Sequence, residues 1–407
     1  MKIKKCRACG SKKLKHAFNL GNQKLTGVFL SKKSQKVSGG NLSLVLCVNC
    51  TLLQLENSFN PQELYGSNYG YESGLNQSMV DHLKNKAKKL SKLANINSNK
   101  IVIDIGSNDG TFLSFFKKSN HLIGIDPTIK KFSKKYRKDI TKVPDFFSYS
   151  KIKSILKFQK AKLVTSMSMF YDLEDPIAFA RDIEKILDKD GIWHLEQSYM
   201  PQMLKNISYD TICHEHLEYY SLKSLSYIFG KANLRILDLE INSINGGSFA
   251  LNVVKNNSSL KSNNPLLNWT KNEEKKMKLD NINTYKNFFL SVKKHRATLI
   301  DVLKKINKNN QKVIGYGAST KGNVILQFSK INTKLIPVIV EVNKFKFNKF
   351  TPGSKIKIVS EKMIKKIKPD YMLVLPWHFK NFILEKEKNF LKNGGKLIFP
   401  LPEVEIY

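Results

Sequence analysis

The stretch from residue 101 to residue 113, IVIDIGSNDGTFL, limits the possible folds of this 407-residue chain more than any other part of it. A short apolar run that ends in a glycine-bounded turn predicts the buried first strand of an open α/β sheet. Gly106 and Gly110 allow the backbone to turn tightly and to approach a ligand closely. Because the apolar residues after Gly110 have helical spacing, the stretch predicts a strand, a ligand-binding turn and a helix.

The acidic side chains near this turn indicate which ligand it takes. A second apolar stretch, residues 122–125, ends in Asp126, where a carboxylate can accept hydrogen bonds from ribose hydroxyls. The third glycine of the dinucleotide fingerprint is missing. Asp104, Asn108 and Asp109 surround the turn instead; they favour a ligand with a cationic centre and an amino group, and they repel pyrophosphate. A purely structural turn is the alternative.

The pattern resembles the S-adenosylmethionine site of class I methyltransferases. Strand-like and helix-like segments alternate from 100 to 255, which predicts a largely parallel sheet, and the turn chemistry of residues 245–247 predicts a closing antiparallel hairpin. The resemblance assigns the cofactor to eight residues: Asp104, Gly106, Ser107, Asn108, Gly110, Asp126, Ser166 and Met167.

The formal net charge of +36 raises the possibility of a nucleic-acid partner. Only five of the 69 basic residues are arginines, however, and arginine is the side chain that base and phosphate readers favour. We therefore expect a small-molecule partner, and an anionic one such as a nucleotide diphosphate would be attracted by the charge. Neither a signal peptide nor a membrane-spanning run is recognisable, so we expect a cytoplasmic protein.

Four of the five cysteines form two Cys-x-x-Cys pairs, Cys6 with Cys9 and Cys47 with Cys50. In a cytoplasmic chain this spacing favours zinc over disulfides. Because four thiolates complete a tetrahedral shell, we predict a structural rather than a catalytic zinc ion.

The segment from Cys213 to Tyr220 contains two histidines that flank a glutamate. His214 and His216 stand two residues apart, which excludes the His-Glu-x-x-His arrangement of zinc proteases. We expect the two histidines to point in different directions, so that one faces the substrate while the other packs. A neutral histidine is a competent general base, and Glu215 could orient it. Two purely structural histidines are the alternative.

The last hundred residues repeat the order of strand, glycine turn and helix. The turn GYGASTKGN at residues 315–323 carries Lys321 and lacks nearby acids, so it suits a phosphate at a helix N-terminus. A second Rossmann-like unit that only packs against the rest is the alternative. The predicted fold class is therefore α/β, with an N-terminal four-cysteine zinc module, a central class I methyltransferase sheet and a C-terminal Rossmann-like domain; the expected ranges are 1–75, 76–256 and 257–407.

Taken together, these motifs resemble one family over nearly the whole chain. It is the zinc-binding sugar C-methyltransferases, which act on nucleotide-linked 4-keto-deoxysugars. The resemblance implies that a base removes the proton beside the sugar ketone and that the resulting enolate takes the methyl group. His216 matches the base and Glu215 its partner, and Tyr69 and Tyr71 match a tyrosine-rich loop at the site. Cys213 departs from the family pattern, because many members have tyrosine there.

The substrate is expected to contact the C-terminal unit. The candidate residues are Lys321, Asn323, Tyr316, Ser319 and Glu341. We expect a monomer or a weak homodimer. Two other interpretations stay open, a zinc-ribbon nucleic-acid methyltransferase and a cofactor-free scaffold. Steep salt dependence of RNA affinity would favour the first of these, and failure to bind S-adenosylmethionine would favour the second.

Overall fold

A computed structural model describes residues 1–65, 70–262 and 264–407. The strands in chain order are β1 (Leu14–Lys24), β2 (Gly39–Cys47), β3 (Leu53–Leu55), β4 (Ile101–Ile105), β5 (His121–Ile125), β6 (Thr141–Val143), β7 (Ala161–Met167), β8 (Leu187–Ser198), β9 (Glu218–Tyr219), β10 (Leu234–Asn242), β11 (Ser248–Lys255), β12 (Val313–Tyr316), β13 (Val338–Glu341), β14 (Lys357–Ser360), β15 (Tyr371–Val374), β16 (Lys396–Phe399) and β17 (Glu405–Ile406).

The helices show the alternation with strands that the sequence predicts. They are α1 (Pro61–Leu64), α2 (Gln77–Leu93), α3 (Thr111–Ser114), α4 (Ile129–Phe132), α5 (Tyr149–Leu156), α6 (Pro176–Ile186), α7 (Met200–Lys205), α8 (Leu222–Gly230), α9 (Pro265–Lys276), α10 (Ile282–Lys308), α11 (Thr320–Phe328), α12 (Ile364–Ile367), α13 (Lys380–Lys386) and α14 (Lys388–Lys392). In the part of the chain that the structure describes, no helix has the length and apolarity needed to cross a membrane.

The central sheet has seven strands in the order β10-β11-β8-β7-β4-β5-β6. Strands β4 to β8 run parallel, and β11 pairs antiparallel with both β8 and β10, so the predicted closing hairpin is present. Ile101–Ile105 is buried at every position, because apolar residues cover both faces of a parallel sheet. The carboxyl ends of β4, β5, β7 and β8 therefore share one edge.

Two smaller sheets flank the central one. The N-terminal sheet has the order β1-β2-β3-β9, so a strand from the segment after His216 completes it. The C-terminal sheet has the order β14-β13-β12-β15-β16-β17, parallel except for β17. Since the N-terminal sheet takes a strand from the middle of the chain, the three parts meet at residues 213–219. The domain ranges themselves stay a prediction.

Two helical regions of the chain are interrupted. Helices α9 and α10 are separate because Lys278 has a positive φ and Asn281 caps the start of α10. Helix α4 is followed by a turn of 3₁₀ helix, Ser133–Lys135. Arg137 beyond it donates to the Ser114 and Phe116 carbonyl oxygens at the end of α3.

Candidate active site

The turn after β4 has the backbone geometry that its glycines predict. Gly106 and Gly110 both have φ of 78°, and Asn108 between them has φ of 48°. A Cβ atom on Gly106 would lie 2.9 Å from Met169, and one on Gly110 would lie 2.8 Å from the Tyr136 ring. Larger residues at either glycine would therefore be strained and would also collide with a neighbour.

The buried carboxylate of Asp126 holds this turn in place from the end of β5. It accepts hydrogen bonds from the Asn108 backbone N–H at 2.9 Å and from the Thr128 backbone N–H at 2.6 Å. Asp104 lies beside it, fully enclosed, and accepts from the Thr165 hydroxyl at 2.6 Å. Burial raises the pKa of Asp104 to about 7 and also raises that of Asp126, because the charged form loses its hydration.

A cavity of about 340 Å³ opens at this edge of the sheet. Among the described residues that line it, eight have carboxyl groups and none is lysine or arginine, although the chain as a whole carries 69 basic residues. The eight are Asp104, Asp109, Asp126, Asp145, Asp172, Glu174, Glu196 and Glu215. Such a lining stabilises a cationic ligand and repels phosphate, which agrees with the ligand chemistry predicted for the turn.

Most of the predicted cofactor residues lie together at this cavity. Those that line it are Asp104, Gly106, Ser107, Asn108, Asp126 and Met167. Gly110 shapes the turn without lining the cavity. Ser166 is fully buried behind it, where its hydroxyl accepts a hydrogen bond from the Trp193 indole at 3.1 Å.

In the described part of the tyrosine-rich loop, Tyr71 and Ser73 contribute to the wall of the same cavity. Tyr71 lines it with 48% of the residue exposed, and Tyr69 lies outside the described residues. The backbone N–H groups of Ser73 and Gly74 donate to the side chains of Asn108 and Asp109 at 3.0 and 2.8 Å. These bonds fix the end of the loop directly on the turn after β4.

Two lining residues that the sequence analysis did not single out have strong partners. Glu196 at the end of β8 accepts from His82 at 2.5 Å and from Lys86 at 2.9 Å. Burial alone would raise its pKa, but these two partners lower it to about 2. Asp172 accepts from the Tyr65 hydroxyl at 2.7 Å. The position of Glu196 at the end of a strand could have predicted that it lines the cavity, whereas no such sequence feature singled out Asp172.

The last three residues of the Cys-His-Glu-His segment have different surroundings. His214 is fully buried, donates to the Gln23 carbonyl oxygen at 3.1 Å and packs edge-on against Phe59. Glu215 lines the large cavity. The His216 ring lies 4.1 Å from the Tyr171 ring, beside a separate space of about 10 Å³. The two histidines thus face different groups, as expected.

The expected contact between Glu215 and His216 is absent from the described part of the chain. The Glu215 carboxylate accepts a long hydrogen bond, 3.4 Å, from the Thr26 hydroxyl. The His216 Nδ1 donates to the Thr211 carbonyl oxygen at 2.7 Å. A backbone carbonyl and not the neighbouring carboxylate therefore orients this imidazole.

The predicted phosphate site at the start of α11 is not supported. The Ser319 hydroxyl accepts from the Gly322 N–H at 2.9 Å, and the Glu341 carboxylate accepts from the Ala318 N–H at 2.9 Å. A phosphate bound here would be repelled by the Glu341 carboxylate, which already accepts a hydrogen bond from a backbone N–H of the turn. Glu341 lies at the end of β13 beside this turn, although the two are far apart in the sequence.

The other C-terminal candidates are mostly engaged in packing. Asn323 is fully buried and donates to the Thr26 carbonyl oxygen at 2.7 Å, and the Tyr316 hydroxyl donates to Glu387 at 2.8 Å. Lys321 also reaches outside its own domain, donating to the Asn245 carbonyl oxygen of the central domain at 2.6 Å.

The four paired cysteines converge on one point. The Sγ atoms of Cys6, Cys9, Cys47 and Cys50 all lie within 4.8 Å of one another. A tetrahedral zinc ion with Zn–S bonds of about 2.3 Å needs S–S separations of roughly 3.8 Å, so the cluster fits. Gln54 donates to the Cys6 sulfur at 3.2 Å, as a residue that supports a metal ligand would.

Family models match three successive parts of the chain. Residues 6–65 match a putative zinc binding domain, residues 80–239 a methyltransferase domain, and residues 243–402 a C-methyltransferase C-terminal domain. The order is that of the cysteine cluster, the seven-stranded sheet and the six-stranded sheet.

Known proteins are similar over very different lengths. The C-methyltransferase NovU of Streptomyces niveus is 27% identical over 413 residues, which cover 99% of this chain and 97% of NovU. The tRNA U34 carboxymethyltransferase of Campylobacter lari is 29% identical over 105 residues, which cover 25% of this chain and 36% of that protein.

Solved structures that are similar to this chain include two that each cover less than half of it. A putative methyltransferase from Bacillus halodurans C-125 is 12% identical with a TM-score of 0.34 and covers 43% of this chain and 100% of that one. The plantazolicin methyltransferase BpumL in complex with SAH is 11% identical with a TM-score of 0.34, covering 44% of this chain and 84% of that one.

The seven-stranded sheet with its acid-lined turn, together with the matched methyltransferase domain, defines a class I methyltransferase that uses S-adenosylmethionine. The cavity fits this cofactor because its carboxyl lining complements a sulfonium and an amino group. A zinc-binding domain and a C-methyltransferase C-terminal domain match the parts of the chain on either side of the central sheet, and the C-methyltransferase NovU is similar along nearly the whole length. These matches support methyl transfer to carbon.

We expect Asp126→Ala to weaken S-adenosylmethionine binding by roughly 10- to 100-fold. The variant removes both a charged acceptor for the ribose and the hydrogen bond that shapes the turn, and hydrogen bonds to charged groups contribute about 1.5–3 kcal/mol. Titration calorimetry measures the change. Asp188→Ala, at the opposite end of the sheet, is the control; equal affinity for the wild type and Asp126→Ala would contradict the assignment.

Proposed function

We propose that the enzyme methylates the carbon next to the ketone of a nucleotide-linked deoxysugar, with His216 as the base. The observation that carries this proposal is the orientation of the His216 imidazole. A carbonyl oxygen can only accept, so the contact with Thr211 requires the proton on Nδ1. The Nε2 atom then has the free lone pair that a general base needs.

The surroundings of His216 favour the neutral imidazole. Burial and the nearby positive charge of Lys321 together lower the pKa of His216 to about 3. The ring is therefore neutral across the physiological pH range, with its Nε2 lone pair unprotonated. It packs against Tyr171, whose neighbour Asp172 lines the large cavity.

Carbon methylation explains why such a base is needed. S-adenosylmethionine supplies an electrophilic methyl group, and an alkyl carbon becomes nucleophilic only after it loses a proton. A ketone acidifies the adjacent C–H bond, because the charge that forms is delocalised onto oxygen. A positioned base contributes about 10²–10⁴-fold to such a proton transfer. The similarity to NovU supports carbon as the acceptor.

The charges of the site suggest how a nucleotide sugar would lie. The carboxyl lining of the large cavity disfavours a diphosphate, so we place only the sugar toward Glu215 and the cavity. Its charged nucleotide would extend out of the cavity. Tyr69, Tyr71 and Glu215 are the residues proposed to surround the sugar ring, and His214 is proposed to support them through packing.

A panel of nucleotide 4-ketosugars tests the proposal. We expect enzyme and S-adenosylmethionine to add one methyl group to at least one member, and mass spectrometry of the product detects it. Each ketosugar is paired with its 4-hydroxy counterpart, which lacks the acidified C–H bond and should stay unchanged. Methylation of the hydroxy sugars, or of RNA alone, would contradict the proposed reaction.

A further inference from the structure

We propose that Lys321 donates a hydrogen bond to the carbonyl oxygen of the substrate and stabilises the negative charge of the enolate. The inference rests on the proposed function and adds a second catalytic residue to it, contributed by the C-terminal domain. A base alone leaves the enolate charge uncompensated, and a cation at the developing oxyanion is a large contribution to catalysis in enzymes of this kind.

The direction of the Lys321 side chain is the first observation. Lys321 stands at the start of α11, yet its ammonium group crosses to the hairpin turn of the central domain and donates to the Asn245 carbonyl oxygen at 2.6 Å. The Asn245 side chain in turn donates to Ser168 at 3.3 Å. Because Ser168 lines the cofactor cavity, Asn245 and Ser168 connect the ammonium group to the wall of that cavity.

The position of Lys321 relative to the base is the second observation. Helix α11 packs against the turn Tyr209–Thr211, whose last carbonyl oxygen orients His216. Burial, and after it the charge of Lys321, lowers the pKa values of His216 and His378. One short turn thus contacts the helix whose first turn contains the half-buried Lys321 and also orients the half-buried His216.

The third observation is that the ammonium group keeps donors for a ligand. Lysine has three N–H donors, and within residues 1–65, 70–262 and 264–407 its Nζ has one hydrogen-bond acceptor, the Asn245 carbonyl. Burial lowers the pKa of Lys321, and the charge of the buried Asp210 opposes this shift; the Asp210 Oδ1 has no hydrogen-bond partner in the same ranges. Cys213 offers only a weak S–H donor, so the lysine is the stronger candidate for an oxyanion.

With His216 and Lys321, deprotonation and methyl transfer balance in atoms and electrons. His216 Nε2 takes the proton from the carbon next to the ketone, and the C–H electron pair forms the C=C bond of the enolate. The π pair of the carbonyl moves onto oxygen, which accepts a hydrogen bond from Lys321 Nζ. The enolate carbon then bonds to the methyl group as the thioether leaves. Lys321 keeps its proton throughout, and His216 later releases its proton to solvent.

The deprotonation step can be measured separately from methyl transfer. In D₂O without a methyl donor, NMR detects the exchange of the substrate proton for deuterium. With the ketosugar that the wild type accepts, we expect Lys321→Met to slow exchange and kcat by about 10²–10³-fold, the usual effect of losing an oxyanion donor. KM should change by less than about fivefold, and Lys321→Arg should retain part of the rate because it remains a cationic donor.

Controls separate the possible failures. Lys162→Met removes a lysine that also donates to a backbone carbonyl, at the far end of β7, and should leave exchange unchanged. Should Lys321→Met fail to fold by calorimetry, Lys321→Gln is tested with the same expected loss. Normal exchange in these variants, or a change in KM alone, overturns the role of Lys321; a wild type that exchanges no ketosugar overturns the proposed function and this role with it.

Discussion

Replacement of His216 by asparagine should lower turnover by about 10²–10⁴-fold, while S-adenosylmethionine still binds with nearly wild-type affinity. Asparagine can donate from its amide nitrogen to the Thr211 carbonyl oxygen, so the hydrogen bond that positions the segment is kept. The amide has no basic lone pair, so the proton of the substrate has no acceptor. Product formation by mass spectrometry and cofactor binding by calorimetry measure the two effects separately.

The pH dependence gives a second check on the same residue. With a pKa of about 3, His216 is neutral from pH 8 down to pH 5, so its protonation should not reduce kcat/KM over that range. An inflection near pH 6.5 that disappears in His216→Asn would show that the imidazole is ordinary and exposed. His121→Asn, on the surface at the start of β5, controls for the loss of a histidine; full activity of His216→Asn would exclude it as the base.

The central sheet could be predicted from sequence because its signals are local. The apolar run before Gly106 and the acid at position 126 each specify a strand and its end within a few residues. Parallel topology then requires that the strand ends share one edge. The zinc site could be predicted just as directly, because paired Cys-x-x-Cys spacing is typical of zinc ligands.

The contacts between distant segments could not be predicted in this way. Lys321 appeared to belong to a phosphate-binding turn, yet its partner Asn245 lies 76 positions earlier in the chain. Glu215 appeared to orient His216, whereas Thr211 does so. Both errors come from treating neighbours in sequence as partners, when packing of the three sheets around residues 213–219 determines which side chains meet.

The loss of one zinc ligand should have the largest effect on stability. We expect Cys47→Ser to abolish stoichiometric zinc binding and to unfold the N-terminal module at a lower temperature than the rest. Cys47 is fully buried, and the cluster joins the first knuckle to the end of β2. Structural zinc contributes about 10–16 kcal/mol to the folding of small zinc-finger peptides, and a three-ligand site loses much of this. Elemental analysis and scanning calorimetry measure both results.

Unfolding of the N-terminal module should also disrupt the active site, because Arg7 and β9 connect the two. Arg7 lies within the first knuckle and pairs with Glu174, a residue that lines the cofactor cavity, at 2.9 Å. Strand β9, which directly follows the His216 segment, adds to the N-terminal sheet. We therefore expect Cys47→Ser to lose methyl transfer as well, whereas Arg7→Lys should keep zinc and lose only part of the activity. Wild-type turnover in zinc-free Cys47→Ser would show that the module and the catalytic centre are independent.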